Sequence, residues 1–161
     1  MRIEARIWLV LLTSFLLALM LVMLPLPDWA TPFRPEWLAM VLIYWCLAIP
    51  ERVGIGIAWS LGLFLDVSSG AILGQYALSY ATMAFFTLKL HQRIRVFPLW
   101  QQAMTVMFLI IMHQVIVLWV KGIIGQSINT LAYWLPSVVS MLLWPWLFLL
   151  LRNIRRHFRI A

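Results

Sequence analysis

Charge is what this chain has least of. Only 11% of its 161 residues are charged and 65% are apolar, whereas a soluble globular chain carries about 25% charged residues. That balance excludes an ordinary water-soluble domain and makes the chain an integral membrane protein. Cysteine is nearly absent: Cys46 stands alone in an apolar run, which excludes a disulfide framework and a thiolate metal site. Residues 67–161 contain no aspartate or glutamate, so no relay of successive intramembrane carboxylates can be built there. The polar stretches between apolar runs are too short to fold as a domain, and no Gly-x-x-x-x-Gly-Lys-Ser/Thr phosphate loop occurs. His91, His113 and His157 do not stand at metal-ligand spacings, and no Ser/His/Asp constellation can be assembled. The chain therefore reads as non-enzymatic, with no cofactor and no metal.

What is present is a series of six apolar segments, at about 7–24, 37–50, 53–67, 71–88, 98–120 and 131–151. They predict an all-α integral membrane protein, a six-transmembrane-helix bundle forming one polytopic domain. Pro25 and Pro27 close the first segment, and Pro50, Glu51 and Arg52 separate the second from the third. Residues 89–98 read as a basic loop, and residues 122–130 join the fifth segment to the sixth. Pro98 suits the first turn of the fifth helix, and Pro145 is expected to kink the sixth. The first segment ends in Leu-Pro-Leu-Pro with no small-x-small cleavage site, so it reads as a retained span. Residues 37–50 and 53–67 are short for spans, which need about 20 residues. Full crossings are the preferred reading; the alternative is a re-entrant hairpin with Glu51 and Arg52 at membrane depth.

The net charge of +7 is unevenly placed: residues 1–66 carry four arginines and five acids, and residues 67–161 carry eight Lys or Arg. On a soluble protein such a basic half would suggest nucleic acid. At span ends it sets membrane orientation and meets anionic lipids, so no nucleic-acid partner is expected. With the N-terminus inside, Arg2, Arg6, Arg52, Lys89, Arg93, Arg95, Arg152, Arg155, Arg156 and Arg159 fall on the cytoplasmic side, and only Arg34 and Lys121 outside. That asymmetry predicts both termini in the cytoplasm. Trp8 and Trp100 then fall at inner ends, and Trp29, Trp37, Trp119 and Trp134 at outer ends, where amphipathic rings are favoured.

Six positions spaced four apart, Gly54, Ala58, Gly62, Asp66, Gly70 and Gly74, predict a ridge of small residues along which a neighbouring backbone can come close. Asp66 in that ridge is costly at membrane depth. It reads either as a proton or cation site, with Lys121 as an ion-pair partner, or as a cap on the amides of Val67, Ser68 and Ser69. The cap is preferred. His113 and Gln114, in the fifth segment, are expected to hydrogen-bond a neighbouring helix.

The elements Arg34-Pro35, Tyr44-Trp45, Arg52-Val53-Gly54, Gly62-Leu63-Phe64-Leu65-Asp66, Leu73-Gly74, Pro98-Leu99-Trp100-Gln101-Gln102, Tyr133-Trp134-Leu135-Pro136 and Trp144-Pro145-Trp146 follow one another along the chain. In this it closely resembles the MreD family of rod shape-determining membrane proteins, in its proteobacterial branch, over essentially the full length. The resemblance implies a scaffold of the elongation complex in the bacterial inner membrane. Its implied partners are the single-span periplasmic protein MreC, the actin-like MreB, and RodA with its transpeptidase partner, which together organise side-wall peptidoglycan synthesis. A homo-oligomer is among the assemblies left open. A weaker resemblance, to the six-helix substrate-binding subunits of energy-coupling-factor vitamin transporters, implies a related fold and an alternative function. Those subunits carry an Ala-x-x-x-Ala contact motif in their first helix. The first apolar segment here has only Ala18, and the nearest such pair, Ala77 and Ala81, falls in the fourth.

Overall fold

A computed structural model describes residues 2–126 and 130–159. The described residues form six helices: α1 (Arg2–Met23), α2 (Trp37–Ala48), α3 (Ile55–Ser69), α4 (Gln75–Val96), α5 (Leu99–Ile124) and α6 (Thr130–His157). A short 3-10 turn, Thr31–Phe33, lies between α1 and α2, and no strand occurs among the described residues. The fold is the all-α bundle that the sequence predicts.

Several boundaries follow directly from local chemistry. Pro98 is the N-cap of α5, and Phe97 before it is extended at φ −71° and ψ 144°, the conformation a following proline favours. Residues 89–96, expected as a basic loop, are instead the last turns of α4. Lys, Arg, Gln and Leu are good helix formers, and Arg93 and Arg95 complement the negative end of the helix. The helix therefore continues past its apolar stretch and stops at the proline. Residues 122–124, placed in a loop by the sequence, complete α5; residues 127–129 of that expected loop lie outside the described residues. α6 runs unbroken through Pro136 and Pro145, each of which withholds one helical N–H.

α2 is the centre of the bundle. Every residue from Leu38 to Leu47 is buried, as fits a helix that is apolar around its whole circumference. It packs against α1, α4 and α6, while α3 lies outside against α4. The Trp45 indole N–H donates to Ser14 Oγ at 2.9 Å, a polar tie between α2 and α1. With 12 residues, α2 is about 18 Å long, well short of a hydrocarbon core of about 30 Å. α1, α5 and α6 are long and apolar enough to cross a membrane by themselves.

Charged side chains mark the two ends of the bundle. At one end both guanidinium nitrogens of Arg52 pair with the Glu4 carboxylate at 2.5 Å, which puts the α2–α3 turn level with the first turn of α1. Arg95 joins them from α4, its Nε donating to the Leu47 carbonyl at 2.5 Å and Nη2 to that of Ala48 at 3.1 Å. At the far end Arg34 donates to the carbonyl of Val22 at 2.7 Å and to that of Leu24. Arg34 and Arg95 each satisfy carbonyls left over at a helix C-terminus, where the helix dipole favours a cation. The start of α1 thus lies beside the ends of α2 and α4, and the end of α1 beside the chain that leads into α2. The α2–α3 turn does not lie halfway along the bundle, as a re-entrant hairpin requires.

Candidate functional site

The junction between α3 and α4 gathers most of the residues that the sequence singles out. Ala58, Gly62 and Asp66 lie on the buried face of α3. The spacing of small residues serves a close approach at one of them: Gly62 faces α4 so closely that a methyl group there would fall 2.6 Å from the Tyr76 carbonyl oxygen. The other three positions correct the expected ridge. Gly54 is the extended N-cap of α3, Gly70 its left-handed C-cap at φ 68°, and Gly74 the left-handed N-cap of α4 at φ 102°. Gly70 and Gly74 serve the turn, where L side chains are strained, and not a continuous helical surface.

Asp66 is fully buried, and both of its carboxylate oxygens are engaged. Oδ2 accepts from the Gly74 amide at 2.9 Å and the Ala77 amide at 3.3 Å, and Oδ1 accepts from the Tyr76 amide at 2.8 Å. The Gln75 amide donates to the Ile72 carbonyl. The N-terminal amides of α4, which no helical carbonyl can reach, are therefore satisfied, and the carboxylate sits at the positive end of the helix dipole. Asp66 is a cap, but its target corrects the expectation. The amides of Val67, Ser68 and Ser69 lie within α3 and need no cap; those of α4 do. Lys121 does not pair with Asp66: its ammonium lies over the Tyr133 ring, 5.9 Å from the centroid. Among the described residues the one ion pair is Glu4 with Arg52.

His113 and Gln114 behave differently from each other. Gln114 Nε2 donates to the Tyr133 carbonyl at 3.0 Å, and the Tyr133 hydroxyl donates back to the Gln114 carbonyl at 2.7 Å, a reciprocal clasp between α5 and α6. His113 stacks on the Tyr80 ring at 4.5 Å between centroids, and its buried Nδ1 has no partner. The expected hydrogen bond from His113 to a neighbouring helix is replaced by this aromatic contact with α4.

The basic residues gather at the end that holds the N-terminus. Lys89 lies over the Phe85 ring, Arg95 holds the end of α2, and Arg152 and Arg155 border a cleft beside it. Arg93, Arg156 and Arg159 are exposed. Two clamps escaped the sequence reading: Arg34 on α1 and Arg95 on α2, each a cation holding carbonyls of a different helix. Arg34 carried a signal only through its place in the Arg34-Pro35 element. Among the described residues no three His, Cys, Asp or Glu side chains gather as a metal site.

Comparison with known proteins bears on this architecture. A family model described as rod shape-determining protein MreD matches residues 3–154. Rod shape-determining protein MreD of Haemophilus influenzae is 34% identical over 153 residues, covering 95% of this chain and 94% of that protein. No solved structure matches the chain, so the likeness to energy-coupling-factor subunits rests on the sequence resemblance alone. Ala77, one of the pair nearest to their contact motif, is buried against Gly62 of the same chain. The family match runs from α1 into the last turns of α6, across the glycine–aspartate junction and both cationic clamps. The chain belongs to the MreD family of rod shape-determining membrane proteins.

Proposed function

We propose that this protein is a non-enzymatic scaffold of the bacterial elongation complex, set in the inner membrane with both termini in the cytoplasm. MreC is its direct partner. With MreB, RodA and the transpeptidase partner of RodA it helps to organise side-wall peptidoglycan synthesis. The observation that carries this reading is the family match over residues 3–154. The interior supports it: three of its polar side chains hold helices together. Asp66 caps α4, Gln114 clasps Tyr133, and Gln102 donates to the Ile94 carbonyl while accepting from the Trp144 indole N–H. The excess of bases at the N-terminal end supports the orientation, since cytoplasmic loops favour Lys and Arg.

Depletion in a rod-shaped host tests the function. Cells are expected to round or swell while vitamin uptake is unchanged, and MreC is expected to co-purify in mild detergent. Normal cell shape with a vitamin-dependent growth defect would overturn the scaffold reading in favour of a substrate-binding transporter subunit.

A further inference from the structure

At the end of the bundle that holds the N-terminus, α2, α4, α5 and α6 leave a cleft of about 710 Å³ between them. Arg95, Arg152 and Arg155 border it, against one carboxylate, Glu51. The chain has no aspartate or glutamate after Asp66, and among the described residues neither Arg152 nor Arg155 of α6 forms an ion pair. The floor is more telling. Tyr44 of α2 lines the cleft and is only 2% exposed, its ring edge-on to Trp45 and Phe148. Its hydroxyl is buried without a hydrogen-bond partner. A buried hydroxyl with nothing to bond is unfavourable, and this one belongs to a ring that lines a space edged by guanidinium groups. Ile49, Pro50 and Phe148 give the same cleft an apolar wall.

An occupant that satisfies all three features carries negative charge, offers several oxygen acceptors and has an apolar part beside them. We propose that the cleft binds the phosphate of an anionic membrane phospholipid, with the Tyr44 hydroxyl and the Arg152 and Arg155 guanidiniums as donors and the glycerol against the apolar wall. Arginine suits this task because its planar fork matches phosphate oxygens, and basic pockets between spans are where anionic headgroups lodge. The assignment holds whichever proteins the scaffold binds. It is also narrower than a general attraction of surface bases to the membrane, because Tyr44 is uncharged and internal. Inorganic phosphate shares the chemistry of the headgroup and is the competing source.

The full chain, purified in a zwitterionic detergent, is given phosphatidylglycerol, phosphatidylcholine or inorganic phosphate. Retention is followed by native mass spectrometry and stability by the unfolding temperature. Phosphatidylglycerol is expected to be retained and to stabilise, phosphatidylcholine and phosphate much less. Tyr44→Phe removes an oxygen with no protein partner, so its unfolding temperature without anionic lipid is expected to match the parent. Its affinity for phosphatidylglycerol should fall about three- to tenfold, the worth of one hydrogen bond. Arg155→Gln, in the last turns of α6, is the second variant and is expected to weaken the same lipid at least as much. Equal retention of phosphatidylglycerol and phosphatidylcholine would overturn the site. So would a phosphatidylglycerol preference that survives both variants, since the lipid would then be held by the exposed bases. Stabilisation by inorganic phosphate equal to that by the lipid would overturn the lipid as the source.

Discussion

Gly62 and Ala77 meet backbone to backbone: a methyl group on Gly62 would lie 2.4 Å from the Ala77 Cα and 2.6 Å from its nitrogen. Neither partner can rotate away, so a side chain at 62 must push α3 and α4 apart. Overpacking typically costs about 1–3 kcal/mol, and here one turn along α3 the same displacement would stretch the bonds from Asp66 to α4. Gly62→Ala is expected to lower the unfolding temperature in detergent, and Gly62→Leu to abolish accumulation in the membrane. Gly56→Ala is the control. It sits in the same helix with nothing within 4 Å of the added methyl, and is expected to be neutral or to stabilise by about 0.5–1 kcal/mol.

Asp66 presents two oxygens to three amides. Asn keeps one acceptor oxygen and turns an NH₂ donor toward the remaining amide. Asp66→Asn should therefore be damaging but milder than Asp66→Leu, which leaves all three donors unpaired at about 1–3 kcal/mol each. Complementation of rod shape at matched membrane levels measures the difference. Equal failure of the two variants would show that the negative charge itself is required.

Gly74 is needed for another reason than Gly62. There is open space around it, but its φ of 102° is in the left-handed region. Gly74→Ala is expected to cost about 1–2 kcal/mol. Gly74→Asn should cost less, since Asn enters that region more readily. A ranking by side-chain volume, with Ala better tolerated than Asn in thermal unfolding, would show that crowding governs this position after all.

Six crossings and the basic N-terminal end predict the pattern of reporter fusions. Fusions after Arg52 and Phe97 and at the C-terminus are expected to report cytoplasm, and fusions after Ser69 and Gly125 periplasm. A periplasmic C-terminus would refute six crossings.

Glu36, in the connection just before α2, carries a pH dependence. Burial pushes its carboxyl from 4.5 up to about 7, against the opposing pull of Arg34 and Lys121. The folded protein then holds this proton more tightly than the unfolded chain does. The associated stability is full below about pH 4.5 and is lost as pH rises through about 7. The unfolding temperature of the parent should fall over that window relative to Glu36→Gln, which cannot titrate. Parallel profiles for the two proteins would remove Glu36 as the cause.

Much of this fold was legible because helix count, proline positions and charge asymmetry are local properties. Pro98 and Gly125 end elements where their chemistry says they must. The limits of α4 were not legible: the apolar run stops at Leu88, but a helix has no reason to stop at a membrane surface when Lys89, Gln92 and Arg93 also favour helix. The central place of α2 was hidden too. A lipid-facing and a protein-facing residue are both apolar, so Leu38 on α2 and Leu12 on α1 look alike in sequence, yet one is wholly buried and the other 70% exposed. At the candidate site, Asp66 was recognisable as a cap by its chemistry. Its target was not, because the turn between Gly70 and Gly74 decides which amides come back within reach.

That turn also bears on how the protein enters the bilayer during synthesis. A translocon releases segments sideways according to their individual affinity for lipid, and neither α3 nor α4 is among the helices long and apolar enough to cross alone. α3 brings a bare carboxylate, which is costly at membrane depth, and α4 brings unpaired amides in its first turn. Each cancels the liability of the other once Asp66 meets Gly74, Tyr76 and Ala77, eight to eleven residues downstream. At about 5–20 residues per second the ribosome supplies those amides within about two seconds of Asp66. The two segments are therefore expected to leave the translocon as one hairpin, α3 waiting in its shelter until α4 has begun.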